Sequence, residues 1–117
     1  SLNVRYFQVL SVATYPRQVE HINDFLQGET EKHEEFLGFA TIHPDMEGLE
    51  KEVERVLTMN FRGIKLHPDF QRFDLDSPNS IRFFDILSNR LPVLLHMGDA
   101  RFTYSAPEFK LASRFAL

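Results

Sequence analysis

The sequence contains no cysteine, and this absence restricts the chemistry available to it. Without cysteine there can be no disulfide bond, no thiolate-ligated zinc ion and no cysteine nucleophile. Any metal ion must therefore be held by histidine and carboxylate side chains. The 5 histidines and 17 acidic residues are the candidates.

Concentrated positive charge and long apolar runs are also absent. The 13 Lys and Arg residues are interleaved with 17 Asp and Glu residues, and the formal net charge is −4. Because phosphate backbones are bound by clustered basic side chains, nucleic acid is not an expected partner. No apolar run approaches the roughly 20 residues of a membrane-spanning helix, and the N-terminal residues lack the pattern of a secretory signal. We therefore expect no membrane partner and a cytoplasmic location.

The composition is otherwise that of an ordinary globular protein. Hydrophobic residues make up 43% of the 117 residues and charged residues 26%, and there are 12 phenylalanines. This length fits a single domain with a core of its own. Because the sequence has no Gly/Ser linker or low-complexity tract, residues 1–117 are expected to form one domain.

Four short apolar runs predict buried parallel strands. Each run is too short for a free-standing helix and is rich in Val, Ile, Leu or Phe. The runs are residues 6–13, 36–42, 63–66 and 92–95. Between them apolar residues recur at helical spacing, and residues 107–117 repeat that pattern. The predicted order is therefore βαβαβαβα, with every helix on the same side of the sheet.

Capping residues indicate where the predicted helices begin and end. Ser77 places a capping hydroxyl directly before Pro78, a residue suited to the first helical position. Two further start signals and two stop signals agree with the apolar spacing. The starts are Thr14-x-Pro16 and Asp45, and the stops are Asn60 and Asn89.

Three of the histidines close successive predicted strands. His43, His67 and His96 are separated by about 24 and about 29 residues, which is the size of a βα unit. Such units build either an open doubly wound sheet or a barrel, and a full barrel takes roughly 250 residues. No glycine-rich phosphate loop follows the first strand, which disfavours the open nucleotide-binding sheet. The predicted fold is α/β, a partial (β/α)8 TIM barrel of about four βα units.

The carboxyl ends of parallel strands are where both folds bind ligands, and here those ends are polar. Neutral imidazole is a common metal ligand and a general base near neutral pH, so histidines at one level of three strands suit metal-assisted hydrolysis. The alternative is that each is a hydrogen-bonded loop residue. His21 and His33 lie among glutamates near the first helix, and we expect them on the outer surface.

Three segments resemble successive modules of the amidohydrolase-related metal-dependent hydrolases. They are GFATIHPD (residues 38–45), FRGIKLHPDFQ (residues 61–71) and LPVLLHMGD (residues 91–99). The resemblance covers nearly the whole chain, and residues 62–71 are its most specific part. The family includes aminocarboxymuconate semialdehyde decarboxylase and the resorcylate decarboxylases. The resemblance implies that the four strands are the second to fifth of the barrel.

The resemblance and the strand-end positions together suggest roles for individual residues. His96 matches the family's metal ligand on the fifth strand, and the expected divalent ion is zinc, with manganese as the alternative. The candidate catalytic residues are His67 and Asp99, with Asp99 orienting His96 or the loop. The candidate substrate-binding residues are His43, Lys65, Arg101 and Tyr104. Lys65 lies on the strand where some amidohydrolases carry a carboxylated lysine between two metals, although the decarboxylase-like relatives use one metal without it.

Other ligands that the resemblance implies have no counterpart in these 117 residues. They are a paired-histidine motif on the first strand, a histidine on the sixth and an aspartate on the eighth. One histidine cannot fix a zinc ion that normally takes three or four protein ligands. The absence puts catalysis by the isolated chain in doubt.

The leading hypothesis is that metal-activated water hydrolyses an amide, ester or lactone of a small-molecule substrate. One alternative is a nonoxidative decarboxylase on the same barrel, and another is an inactive fragment or assembly unit. An open barrel wall further predicts a homo-oligomer, or association with the rest of the barrel. The bare inner face would include Leu66, Leu94 and Phe39 or their neighbours.

Overall fold

The computed structural model describes residues 3–96, where strands alternate with helices. The strands are β1 (Phe7–Val9), β2 (Phe36–Thr41), β3 (Gly63–Leu66) and β4 (Val93–Leu95). The helices are α1 (Val19–Lys32), α2 (Leu49–Thr58), the short α3 (Pro68–Gln71) and α4 (Pro78–Leu87), and a 3₁₀ turn over Pro16–Gln18 precedes α1. The predicted helix at residues 107–117 lies outside the described residues. None of the helices between residues 3 and 96 has the length and apolar character needed to cross a membrane.

The strands form a parallel sheet in the order β1-β2-β3-β4. Phe39 of β2 pairs with Gly63 of β3, and Lys65 of β3 pairs with Thr41 on one side and Leu94 on the other. Parallel neighbours need a crossover, and right-handed crossovers that never reverse direction place their helices on one side of the sheet. The predicted order is confirmed, and the arrangement is compatible with a partial α/β barrel.

Strand β1 is shorter than the apolar run that predicted it. The run covers residues 6–13, whereas β1 ends at Val9. Farther along, the backbone N–H of Ala13 donates to the Thr41 hydroxyl at 2.9 Å. A side chain thus satisfies a buried amide that a longer strand would have paired with backbone. Of the residues after Val9, Ala13 is buried in the core and Leu10 is 40% exposed, and none of residues 10–13 is strand.

The helix starts agree with the sequence in one case and differ in another. At α4 the Ser77 hydroxyl accepts the Ser80 N–H at 3.1 Å, as predicted. The predicted start of α2 at Asp45 is wrong, because the residue that caps α2 is Gly48, at a φ of 68°. Glycine adopts this left-handed conformation at little cost. The backbone N–H of Asp45 instead donates to Nδ1 of His43 at 3.2 Å.

Ion pairs join the three longer helices into one layer. Arg55 of α2 pairs with Asp24 of α1, and Arg90, just beyond α4, pairs with Glu54 of α2 at 2.6 Å. Between this layer and the sheet lies a buried apolar core. Its members include Ala40, Ile64 and Leu66 from the strands and Val53, Val56, Phe83 and Leu87 from the helices. The predicted single layer of helices is therefore present in the described part of the chain.

The other side of the sheet, here called the open face, is not covered by a helix layer within residues 3–96. It is formed by Tyr6, Gln8, Leu37, Phe39 and Leu94. Tyr6 is 61% exposed and Leu94 is 38% exposed. Together with Arg62, the β1 and β2 residues of this face line an open concavity of about 530 Å³.

Leu66 or a neighbouring residue was expected on the open face, and in the structure it is the neighbour Lys65, not Leu66, that faces this side. The Leu66 side chain is fully buried in the core beneath the helices. Side chains alternate along a strand, and a Cβ atom at Gly63 would lie 2.6 Å from the Phe39 ring, so Gly63 and Lys65 face the open side. Ile64 and Leu66 therefore face the helices.

Candidate functional site

Two of the strand-end histidines, His67 and His96, lie against each other at the C-terminal edge of the sheet. His67 follows β3 and caps α3, where its Nδ1 accepts the Phe70 N–H at 3.3 Å. His96 follows β4, and its backbone N–H donates to the Leu66 carbonyl at 3.0 Å. This bond extends the pairing of β3 with β4 by one residue. The pairing thereby brings the two imidazoles to the same level.

The rings of Phe70, His67 and His96 form a continuous stack, here called the histidine stack. The His67 and Phe70 centroids are 3.9 Å apart with 4° between their planes. The His67 and His96 centroids are 4.0 Å apart with 13° between their planes. His67 thus has a ring on each face, which restricts its rotation.

The stack prevents both histidines from binding the same metal ion in this arrangement. An imidazole nitrogen binds zinc along its lone pair, in the plane of the ring, at about 2.0–2.1 Å. In nearly parallel rings 4.0 Å apart, an ion in the plane of one ring is displaced from the plane of the other. One histidine can ligate a metal while the other keeps its nitrogen for substrate. This is the division of roles that the sequence predicts for His96 and His67.

The imidazole of His67 is neutral at physiological pH. Its pKa is lowered to about 4, first by burial and then by His96 and Lys65, while the Asp69 charge acts in the opposite direction. Because Nδ1 accepts the Phe70 N–H, the proton of the neutral ring is assigned to Nε2. His67 can therefore donate a hydrogen bond from Nε2.

Lys65 provides positive charge close to the histidine stack. It is 9% exposed, it faces the open side of the sheet, and burial lowers the pKa of its ammonium group. It takes part in none of the ion pairs found between residues 3 and 96. A buried cation without a carboxylate partner favours an anionic group on a ligand.

Asp69 is a buried carboxylate that the sequence did not single out. It is 3% exposed, and within the described residues neither of its oxygens has a hydrogen-bond partner. Its charge influences the pKa of His67, which places the carboxylate near that ring. Leaving a buried carboxylate unpaired costs free energy. A ligand that brings a hydrogen-bond donor or a cation would relieve this cost.

His43 is buried, and its hydrogen bonds are made within the chain. Its Nε2 lies 2.8 Å from the backbone oxygen of Gln71, and its Nδ1 accepts the Asp45 N–H at 3.2 Å. A carbonyl only accepts, so the neutral ring carries its proton on Nε2. The ring centroid lies 5.8 Å from that of Phe73. These contacts fit the hydrogen-bonded loop residue, and contact of His43 with substrate stays a prediction.

The two remaining histidines lie in the helix layer. His21 is exposed on α1, and His33 follows the end of α1. The His33 ring nitrogens lie 3.7 Å from carboxylate oxygens of Glu29 and Glu35. Both histidines are therefore placed on the outer side, as the sequence predicts.

Three of the predicted site residues cannot be located. Asp99, Arg101 and Tyr104 lie outside the described residues 3–96, and their roles stay predictions. In contrast, Gln71 lies at the centre of the strand ends and was not predicted. The sequence signal that could have found it is its position in residues 62–71, the most specific part of the resemblance.

The described residues do not by themselves provide a complete metal site. Between residues 3 and 96, no three His, Asp or Glu side chains lie close enough together to hold a metal ion. His96 could supply one ligand, whereas zinc normally takes three or four from protein.

No protein-family model matches the chain, and a search of the curated proteins found no match. The resemblance to the amidohydrolases therefore stays a prediction from the sequence motifs.

Proposed function

We propose that this chain forms part of a (β/α)8 barrel hydrolase, with β1 to β4 as its second to fifth strands. The observation that carries the proposal is the histidine stack at the ends of β3 and β4, with Lys65 beside it. Ligands of barrel enzymes bind at this edge of the sheet. The substrate is a small molecule with an amide, ester or lactone group.

Each described residue has a distinct part in this proposal. His96 is a ligand of a divalent metal ion, zinc or manganese, which supplies an activated water when bound. His67 donates its Nε2–H to the carbonyl oxygen of the substrate, where negative charge develops during attack. Lys65 strengthens that effect through its charge. The other metal ligands come from outside residues 3–96.

A nonoxidative decarboxylase is the second candidate, and the buried ammonium of Lys65 favours it. The charge of Lys65 is not neutralised by any ion pair between residues 3 and 96, so it can hold the carboxylate of a substrate. The two reactions are distinguished by product. Hydrolysis of an ester or lactone releases an acid, whereas decarboxylation releases carbon dioxide.

Metal binding tests the role of His96. A longer chain that completes the barrel is titrated with Zn²⁺ and with Mn²⁺ by calorimetry, alongside its His96→Ala, His67→Ala and surface control His21→Ala variants. We expect His96→Ala to weaken the binding of the preferred ion by about tenfold or more, because a direct ligand is lost. His67→Ala and His21→Ala should retain the affinity. Unchanged affinity in His96→Ala would contradict the proposal.

Turnover tests the reaction class. The metal-loaded longer chain, with the barrel completed, is incubated with aryl esters, lactones and hydroxybenzoates, and acid and carbon dioxide are measured. Hydrolysis that is lost in His96→Ala and reduced in His67→Ala supports the leading proposal. Carbon dioxide release without hydrolysis supports the lyase. A chain that binds metal without turning over any of these compounds favours the inactive assembly unit.

A further inference from the structure

Gln71 is a buried amide that contacts the segments following three strands. It is 2% exposed. Its Nε2 donates to the carbonyls of Ala13 at 3.0 Å and Ile42 at 2.7 Å, and its Oε1 accepts the backbone N–H of His67 at 2.8 Å. Ala13 follows β1, Ile42 follows β2 and His67 follows β3. One side chain therefore joins three neighbouring strand ends.

These bonds satisfy backbone groups that the sheet leaves unpaired. Where parallel strands separate, their carbonyls and N–H groups lose their partners, and burial then requires other partners. Gln71 uses both of its amide protons and its carbonyl oxygen on such groups. No shorter or purely apolar side chain offers two donors and an acceptor at this reach.

The backbone of Gln71 contacts two histidines of the candidate site. Its carbonyl accepts Nε2–H of His43 at 2.8 Å, and its N–H donates to the His67 carbonyl at 2.9 Å. The side chain holds α3 against the strand ends, and the backbone of α3 in turn holds His43 in one tautomer. The His67 ring is held between Phe70 of this short helix and His96, which follows β4.

We propose that Gln71 is the positioning residue of this site: its amide fixes the backbone of His67, and thereby the histidine stack, and it keeps His43 in the Nε2–H tautomer. The inference rests on the proposed function, in which His67 donates Nε2–H to substrate. Gln71 has no contact with the reacting atoms in this mechanism and acts through His67.

The test is nuclear magnetic resonance of the histidine rings in the 117-residue chain. Gln71→Met has a similar length and no hydrogen-bonding amide, and Gln71→Glu keeps the shape with fewer donors. Spectra are recorded at about pH 8, above the ordinary imidazole pKa of about 6.5. For the unchanged chain we expect ring ¹⁵N shifts of a single Nε2–H tautomer for His43 and cross-relaxation between the His67 and His96 rings. In Gln71→Met we expect a tautomer mixture and loss of the cross-relaxation, with a smaller change in Gln71→Glu.

Ser80→Ala is the matched control, because Ser80 is a buried polar residue of α4 whose hydroxyl bonds to Ser77 and to the Asp74 carbonyl and to no histidine. It should lower thermal stability and leave the ring signals unchanged. If Gln71→Met does not fold, the positioning role of Gln71 is tested by comparing the ring signals of Gln71→Glu with those of the unchanged chain. Ring signals unchanged in the folded Gln71 variants would overturn the proposal, as would an equal change in Ser80→Ala. These signals need no metal or substrate, so failure here is distinct from failure of metal binding at His96.

Discussion

Burial makes His67 a neutral imidazole, and this has a consequence for stability. Its pKa of about 4 in the folded chain lies below the ordinary value of 6.5. Between these two pH values the unfolded chain binds a proton at His67 and the folded chain does not. The unfolded state is therefore favoured as the pH falls, and the free energy of unfolding should decrease from about pH 7 towards about pH 4.

His67→Gln tests this effect, because glutamine is uncharged over the whole range. We expect the loss of unfolding free energy between about pH 7 and about pH 5 to be smaller in His67→Gln than in the unchanged chain. Urea denaturation at the two pH values measures it. His21→Gln, at an exposed position, should keep the pH dependence of the unchanged chain. An identical pH dependence in His67→Gln would show that His67 is not protonated differently in the two states.

The sequence predicts some residues of the site and not others. The spacing of strand-end histidines predicted that His67 and His96 lie at the same edge, and the structure stacks them. Gln71 and Asp69 were not predicted, because a glutamine or aspartate after a strand is usually exposed. Their burial depends on which groups neighbouring segments leave unpaired, and a linear pattern does not contain that information.

Among the elements, α4 shows how a local signal determines a helix end. The Ser77 hydroxyl accepts the Ser80 N–H, and Pro78 occupies the first turn. Ser77→Ala removes the cap and should lower the unfolding free energy by about 1 kcal/mol. Ser77→Thr keeps the hydroxyl and should lose less. Thermal or urea denaturation of both variants measures the difference, and equal stability of Ser77→Ala and Ser77→Thr would contradict a capping role.

Helices whose position depends on contacts between residues distant in the sequence were predicted less well. The start of α2 was placed at Asp45, whose N–H is taken by His43, a residue fixed by its bond to Gln71. The helix α3 was missed because its four residues are too few to show an apolar period. Both differences have the same cause, since the loops after β2 and β3 are shaped by contacts with each other.

For the whole molecule, the order of strands followed from the sequence and the extent of the barrel did not. Short apolar runs separated by helical segments restrict the fold to a parallel α/β sheet, and neighbouring order follows if crossovers do not reverse. Whether such a sheet closes depends on strands beyond those described. The expectation left open whether Leu66 or a neighbour lies on the open face, because this depends on register, and the close contact of Gly63 with Phe39 places Lys65 there.

The open face provides the last prediction, which concerns association. Tyr6 and Leu94 are exposed residues on a sheet whose outer strands β1 and β4 each have one strand neighbour among the described residues, and such faces are sites of association. We expect a second copy of the chain to cover this face, so that light scattering gives a mass above the 13.7 kDa of one chain. Leu94→Lys should shift the mass towards one chain. Ile81→Lys is the control, because Ile81 is 52% exposed on α4, in the helix layer.

A mass of one chain at every concentration would contradict self-association through the open face. Equal dissociation in Leu94→Lys and Ile81→Lys would place the contact elsewhere, because the two residues lie on opposite sides of the sheet.

Association through the open face should also change metal binding. A second copy would bring another His96 and Lys65 to the region that the open face borders, and metal affinity should then rise with protein concentration. A metal affinity that does not change with protein concentration would show that metal binding does not depend on association of the chain.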